Sequence, residues 1–146
     1  MSEQTSPHYD ENNIFAKILR DELPSQKLYE DEDTLVIMDI MPRADGHCLV
    51  LPKRAARNIL DADDAMLAAV SKTTAKLARA VKAAFKADGV TIQQFNESAG
   101  GQMVFHLHVH VIPRFDNVPM RPHSGEMGDA ELITKYADKI RIELHG

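Results

Sequence analysis

Val104-Phe105-His106-Leu107-His108-Val109-His110-Val111-Ile112-Pro113-Arg114 is the stretch that decides the fold. Apolar and β-branched residues alternate with histidine and a proline closes the run, so the pattern predicts a β-strand. Neighbouring side chains on a strand point to opposite faces. Phe105, Leu107, Val109 and Val111 then face one way, and His106, His108 and His110 share the other face. With a rise of about 3.3 Å per residue, successive rings leave the backbone about 6.6 Å apart. A sheet gains little from a face lined with imidazoles unless something is bound there. Chemistry is expected on that face.

The residues around this strand supply the rest of a single α+β domain. Ser98-Ala99-Gly100-Gly101 reads as a tight loop into the histidine strand, and Val90 to Asn96 as the strand before it. The longest helix is predicted from Asp63 to Ala87. Leu67, Val70, Thr74, Leu77, Val81 and Ala84 recur there at three- and four-residue spacing, leaving Lys72, Lys76, Arg79, Lys82 and Lys86 for solvent. Asp61, Asp63 and Asp64 suit its positive end, and Gly89 suits a left-handed position after its last turn. Further upstream, His47 to Leu51 is a strand stopped by Pro52, after a loop from Pro42 to Gly46. Lys27–Glu30 and Thr34–Asp39 flank an acidic turn and predict a hairpin. Asn12 or Asn13 caps a short helix carrying Ile14, Phe15, Ile18 and Leu19, which ends before Pro24. A last helix starts near Asp129, with Ile133, Ala137, Ile140 and Leu144 on one face. The expected architecture is an antiparallel meander sheet with one long helix and short terminal helices. Residues 1–12 are expected to form a flexible N-terminal arm and residues 13–146 the one domain.

Composition excludes several function classes. The chain has 146 residues, 44% hydrophobic and 27% charged, enough to bury a core of its own. A formal net charge of -5 argues against a general nucleic-acid binder. No apolar run approaches the roughly 20 residues of a membrane span. The first residues lack the basic and apolar regions of a signal peptide, and Cys48 is the single cysteine, expected to be a small buried apolar residue. A cytoplasmic location is expected. His8, His123 and His145 fall outside the strand motif and are assigned no role.

Three readings of the histidines are open on residue grounds alone. They are solvated polar residues, or zinc ligands completed by His47 from another strand, or a nucleophile with flanking groups at a phosphoryl centre. Asn96-Glu97-Ser98-Ala99-Gly100-Gly101-Gln102 favours phosphate, because its glycines let main-chain N–H groups approach an anion.

His106-Leu107-His108-Val109-His110-Val111-Ile112 resembles the His-x-His-x-His signature of the histidine triad (HIT) family of nucleotide hydrolases and transferases. Asn13 to Ile18, Glu22-Leu23-Pro24, Val36 to Ile40, Gly46 to Lys53, Asn96-Glu97 and Gly101-Gln102 resemble its Hint branch, in the right order. The resemblance implies a purine-nucleotide site on a homodimeric domain that needs no cofactor or metal. Carried over by motif, His108 is the nucleophile, His110 and His106 assist at the phosphate, and His47 lies beside them. Asp39 resembles the acceptor of both ribose hydroxyls. Asn96, Gly101, Gln102 and Met103 border the phosphate, and Ile14, Phe15, Ile18, Ile37 and Ile40 resemble the walls of the base pocket. Met103 replaces a serine common in the Hint branch, the loop before the triad is one residue shorter, and the chain has no tryptophan. Residues 12–16 lack the zinc-binding cysteines of some bacterial relatives. The implied activity is hydrolysis at the α-phosphorus of purine nucleoside 5′-phosphate derivatives, phosphoramidates first and aminoacyl-adenylates second. Dinucleoside polyphosphate hydrolysis as in the Fhit branch, a zinc-dependent hydrolase and a nucleotide-binding regulatory protein are the alternatives.

Overall fold

In the computed structural model, which describes residues 8–122 and 126–146, the histidine strand starts at Val109 rather than Val104. This strand, β5 (Val109–Arg114), lies between β3 (Cys48–Pro52) and β4 (Gly89–Gln93). Its ladders cover only residues 109–114: Val50 pairs with Val109 on one side, and Gln93 with His110 on the other. Residues 104–108 are not paired to a strand. The Leu107 N–H instead donates to the Ala56 carbonyl at 2.8 Å. The alternation nevertheless persists. Leu107, Val109 and Val111 enter the larger apolar core, whereas Phe105 is half-buried outside it with the Arg57 guanidinium 4.1 Å over its ring.

Among the described residues one sheet is formed, in the order β1-β2-β3-β5-β4, with every pair antiparallel. β1 (Lys27–Glu30) and β2 (Thr34–Met38) form the expected hairpin. Its turn is closed by Asp31, whose Oδ1 accepts from the main-chain N–H groups of Asp33 and Thr34 and from the Thr34 hydroxyl. After β3 the chain crosses in α2 (Asp64–Phe85) to the outer edge, lays down β4, and returns as β5 into the slot beside β3. The Asp63 carboxylate accepts from the Met66 N–H and caps α2.

Two details of α2 differ from the sequence reading. Its left-handed C-cap is Lys86, with φ 51°, and not Gly89, which begins β4. The Ala87 N–H reaches back to the Lys82 carbonyl, and burial of the Ala87 methyl offsets the strain at Lys86. The buried stripe is Met66, Val70, Thr73, Leu77, Ala80 and Val81. It is rotated from the expected one because Thr73 Oγ1 bonds Thr34 Oγ1 at 2.8 Å beneath the sheet. Leu67 and Thr74 are only half-buried. α3 (Ala130–His145) opens at Asp129 and buries Ile133, Ala137 and Ile140 against the same core. At 16 residues it is longer than a short terminal helix.

The opposite face of the sheet is covered by α1 (Ile14–Leu19), capped by the Asn13 side chain on the Ala16 N–H. Phe15 and Ile18 pack there on Leu35, Ile37, Leu49 and Leu51. In register, Ile37, Leu49, His110 and Gln93 form one row across β2, β3, β5 and β4. That row places the imidazoles on the face beneath α1. No helix among the described residues is long and apolar enough to cross a membrane.

Candidate active site

His106, His108, His110 and His47 are all buried, at 1–8% exposure, and their partners assign each ring a tautomer. The Nδ1 of His108 lies 2.6 Å from the His106 main-chain carbonyl. A carbonyl only accepts, so Nδ1 carries the proton and the lone pair of neutral His108 sits on Nε2. His106 is turned the other way. Its Nε2 lies 2.9 Å from the Pro52 carbonyl and must donate, which leaves Nδ1 as an acceptor. The Tyr9 hydroxyl is 2.7 Å from that Nδ1.

His47 and His110 form a second unit. The Arg43 N–H donates to His47 Nδ1 at 3.0 Å, so His47 carries its proton on Nε2. That atom lies 2.9 Å from His110 Nδ1 and 3.4 Å from Asp39 Oδ2. His110 thus accepts at Nδ1 and holds its own proton at Nε2. The chain of donors runs from main chain to His47 to His110. Desolvation pushes the pKa of His106 down to about 4 and also lowers that of His108, so both rings are neutral near pH 7.

Aromatic edges lock the rings in place. Phe15 meets His108 edge-on with centroids 4.8 Å apart, and Phe95 meets His110 at 5.5 Å. Gly101, at φ +99°, brings the loop onto Phe95; a β-carbon there would lie 3.2 Å from that ring.

Asp39, His47 and His110 hold potential ligand atoms within 4.8 Å of one another. A cation would need a bare Nε2 on His47, yet the Arg43 N–H claims the lone pair of Nδ1 and leaves the proton on Nε2. The donor set fits proton transfer and does not fit a divalent ion.

The structure brings most of the expected residues together and gives some of them other employment. Asp39 is half-buried at the end of β2, with Oδ1 accepting from the Met41 N–H at 2.8 Å and Oδ2 facing His47. Phe15 touches the triad, while Ile18 and Ile37 are buried in the α1-side core. Ile14 and Ile40 stand about half exposed. The Gln102 side chain is held within the loop. Its amide bonds Asn58 Nδ2, the Glu97 N–H and the carbonyls of Arg57 and Val104, and its own N–H donates to Glu97. The Asn96 side chain likewise bonds Gln94 and the Ile59 N–H, and the Gly101 N–H donates to Ser98. These three residues shape the loop from within. Met103, 73% exposed, projects away from it.

Four contributors escape the sequence reading: Tyr9, the Arg43 N–H, the Pro52 carbonyl and Phe95. Tyr9 alone left a signal, as the one aromatic residue in an otherwise polar arm. His145 bonds the Leu28 carbonyl, the His8 side chain is exposed, and His123 lies outside the described residues.

Known proteins with this arrangement are numerous. The family model described as HIT domain matches residues 20–117. Protein hit of Bacillus subtilis is 39% identical over 108 residues, covering 74% of this chain and 74% of that one. Adenylylsulfatase HINT3 of Arabidopsis thaliana is 36% identical over 69% of this chain and 51% of its own length. The crystal structure of a Hit-like protein involved in cell-cycle regulation from Bartonella henselae superposes with a TM-score of 0.90. It is 50% identical in sequence, and the alignment covers 94% of this chain and 100% of that one.

Proposed function

The chain belongs to the HIT domain family, and we propose that it hydrolyses purine nucleoside 5′-phosphate derivatives at the α-phosphorus, with His108 as nucleophile. The observation that carries this reading is the 2.6 Å bond from His108 Nδ1–H to the His106 carbonyl, which presents the Nε2 lone pair for attack. Nε2 bonds to phosphorus as the bond to the leaving group breaks, and that group departs with the electron pair and a proton taken from solvent. Water then displaces His108, so that its hydroxyl ends on phosphorus, its proton goes to solvent and the Nε2 lone pair is restored. His110 Nε2–H and the main-chain N–H of Met103 stabilise the phosphoryl oxygens, with His47 holding His110 in its tautomer.

Asp39 accepts from the ribose hydroxyls, and Ile14, Phe15 and Ile40, supported by Ile18 and Ile37 beneath them, form the apolar wall for the base. Phosphoramidates are the preferred class. The name of the Arabidopsis relative, an adenylylsulfatase, supports chemistry at an adenylyl phosphorus. The working molecule is a homodimer in the cytoplasm. β4 is an edge strand with Ile92 47% exposed, beside a groove of about 400 Å³ lined by Leu67, Thr74 and Ala78 of α2. An apolar edge of this kind needs a partner.

Replacing His108 with alanine should abolish release of adenosine monophosphate from an adenosine phosphoramidate while the circular dichroism spectrum stays unchanged. The 2′-deoxy substrate should be turned over at least about tenfold more slowly by the wild type, since a bond to a carboxylate is worth roughly 1.5–3 kcal/mol. Near-normal turnover by the alanine variant would remove His108 from the role of nucleophile.

A further inference from the structure

Tyr9 contacts the triad but has no part in the proposed hydrolysis. Its hydroxyl lies 2.7 Å from His106 Nδ1, and its ring meets the imidazole edge-on with centroids 5.8 Å apart. The direction of the bond is settled by the far side of the ring. His106 Nε2 donates to the Pro52 carbonyl, so Nδ1 accepts and the phenol donates. Burial raises the pKa of Tyr9 above its ordinary value, which keeps the proton on oxygen.

The segment that carries Tyr9 is tied down at several points. The His8 carbonyl accepts from Arg57 Nη1 at 3.0 Å, and the Glu11 carbonyl from Arg20 Nη1 at 2.9 Å. The Asn13 side chain, which caps α1, donates through Nδ2 to the Asp10 carbonyl at 2.7 Å. Arg57 is itself held by a bidentate pair with Glu97, at the start of the Ser98–Gly100 turn. Residues 8–12 thus form a strap that joins α1, the glycine loop and the triad.

We propose that Tyr9 is a positioning residue of the active site, holding His106 between its phenol and the Pro52 carbonyl and thereby fixing the carbonyl that orients His108. The coupling follows from connectivity: the residue whose ring Tyr9 grips is the one whose main-chain oxygen sets the nucleophile's tautomer. Freed of the phenol, the His106 ring turns about its remaining bond to Pro52, and its backbone moves with it. The role rests on the hydrolase reading for its kinetic signature, and on the hydrogen bond alone for its spectroscopic one.

Tyr9→Phe keeps the ring and deletes the donor. Long-range ¹H–¹⁵N spectra of the wild-type histidines at pH 7.5 should show His106 as the Nε2–H tautomer and His108 as the Nδ1–H tautomer. In the variant the His106 Nδ1 resonance moves toward the unbonded imine position and the His108 ring signals shift or broaden. With an adenosine phosphoramidate, kcat falls about three- to tenfold, the size of one neutral hydrogen bond, while KM stays within about twofold. A simple tether would lower the melting temperature and leave kcat alone, so unchanged kcat overturns the proposal. So does an unmoved His106 Nδ1 resonance. Should wild-type protein turn over no nucleotide, the hydrolase reading fails and the spectra decide alone. Shifts at both His106 and His108 then support the positioning role, and a shift at His106 without one at His108 refutes it.

Discussion

Gly46 is the position at which a single methyl group should do the most damage to the support of the site. It sits at φ +86°, where an L-residue with a side chain is strained by about 1–2 kcal/mol. A β-carbon there would also stand 2.8 Å from Phe85 Cζ and nearer still to Cε2. Phe85 has little room to withdraw, because its ring is edge-packed on Tyr136 with centroids 5.5 Å apart. Overpacking of a held aromatic ring costs about 1–3 kcal/mol. The two costs together predict that Gly46→Ala lowers stability by about 2–5 kcal/mol. For a chain of this size that corresponds to a fall in Tm of about 4–20 °C. Gly100→Ala is the internal control, since a β-carbon at Gly100 meets nothing within 4 Å. It should stay within about 0.5 kcal/mol of wild type. Urea denaturation of the three proteins at common m-value reads the difference directly. If Gly46→Ala falls within the control's range, the steric account of the turn before His47 is wrong.

Stability should also respond to pH in a window set by the triad. The pKa of folded His106 is depressed from 6.5 to about 4, so between those values the unfolded chain binds more protons and stability is lost as pH falls. The loss amounts to about 3 kcal/mol for His106 at its limit, with His108 adding in the same direction. Denaturation midpoints of wild type and His106→Gln between pH 7.5 and 4.5 should diverge in slope, and equal slopes would contradict burial as the cause. The dimer has its own check. Wild type should sediment as a dimer at low micromolar concentration and Ile92→Lys as a monomer, and a wild type that is monomeric there would defeat the edge-strand interface.

The elements were legible wherever side-chain periodicity and capping chemistry agree. Asp63 and Asp129 open α2 and α3 as expected, and Asn13 opens α1, because a carboxylate or amide ahead of an apolar repeat satisfies main-chain N–H groups that have no other partner. The end of α2 was less legible. Left-handed geometry favours glycine, yet the chain places it at Lys86 because the next residue, Ala87, is drawn into the core. The alternation of residues 107–111 also survived, although the strand itself began five residues late. Face alternation is a property of extended backbone, whereas a ladder needs a paired neighbour, and no sequence pattern in 104–108 states where its pairing with β3 and β4 stops.

The candidate histidines are visible as residue types, but their tautomers are not, and the tautomers decide which nitrogen can act. The determining groups are a carbonyl at Pro52, a carbonyl at His106 and an N–H at Arg43. Every residue has a carbonyl and all but proline have an N–H, so composition and spacing carry no trace of which ones the fold will aim at an imidazole. Gln102 and Asn96 show the converse. Their residue types point to a phosphate, and the bonds that hold their side chains within the loop, where Gln102 bonds both ends of the Glu97–Val104 segment, are not written in the sequence. A motif names the side chains that can do the chemistry. The main chain, placed by packing of α1 and the strap against the sheet, determines that His108 presents Nε2 while His106 presents nothing but a lone pair to Tyr9.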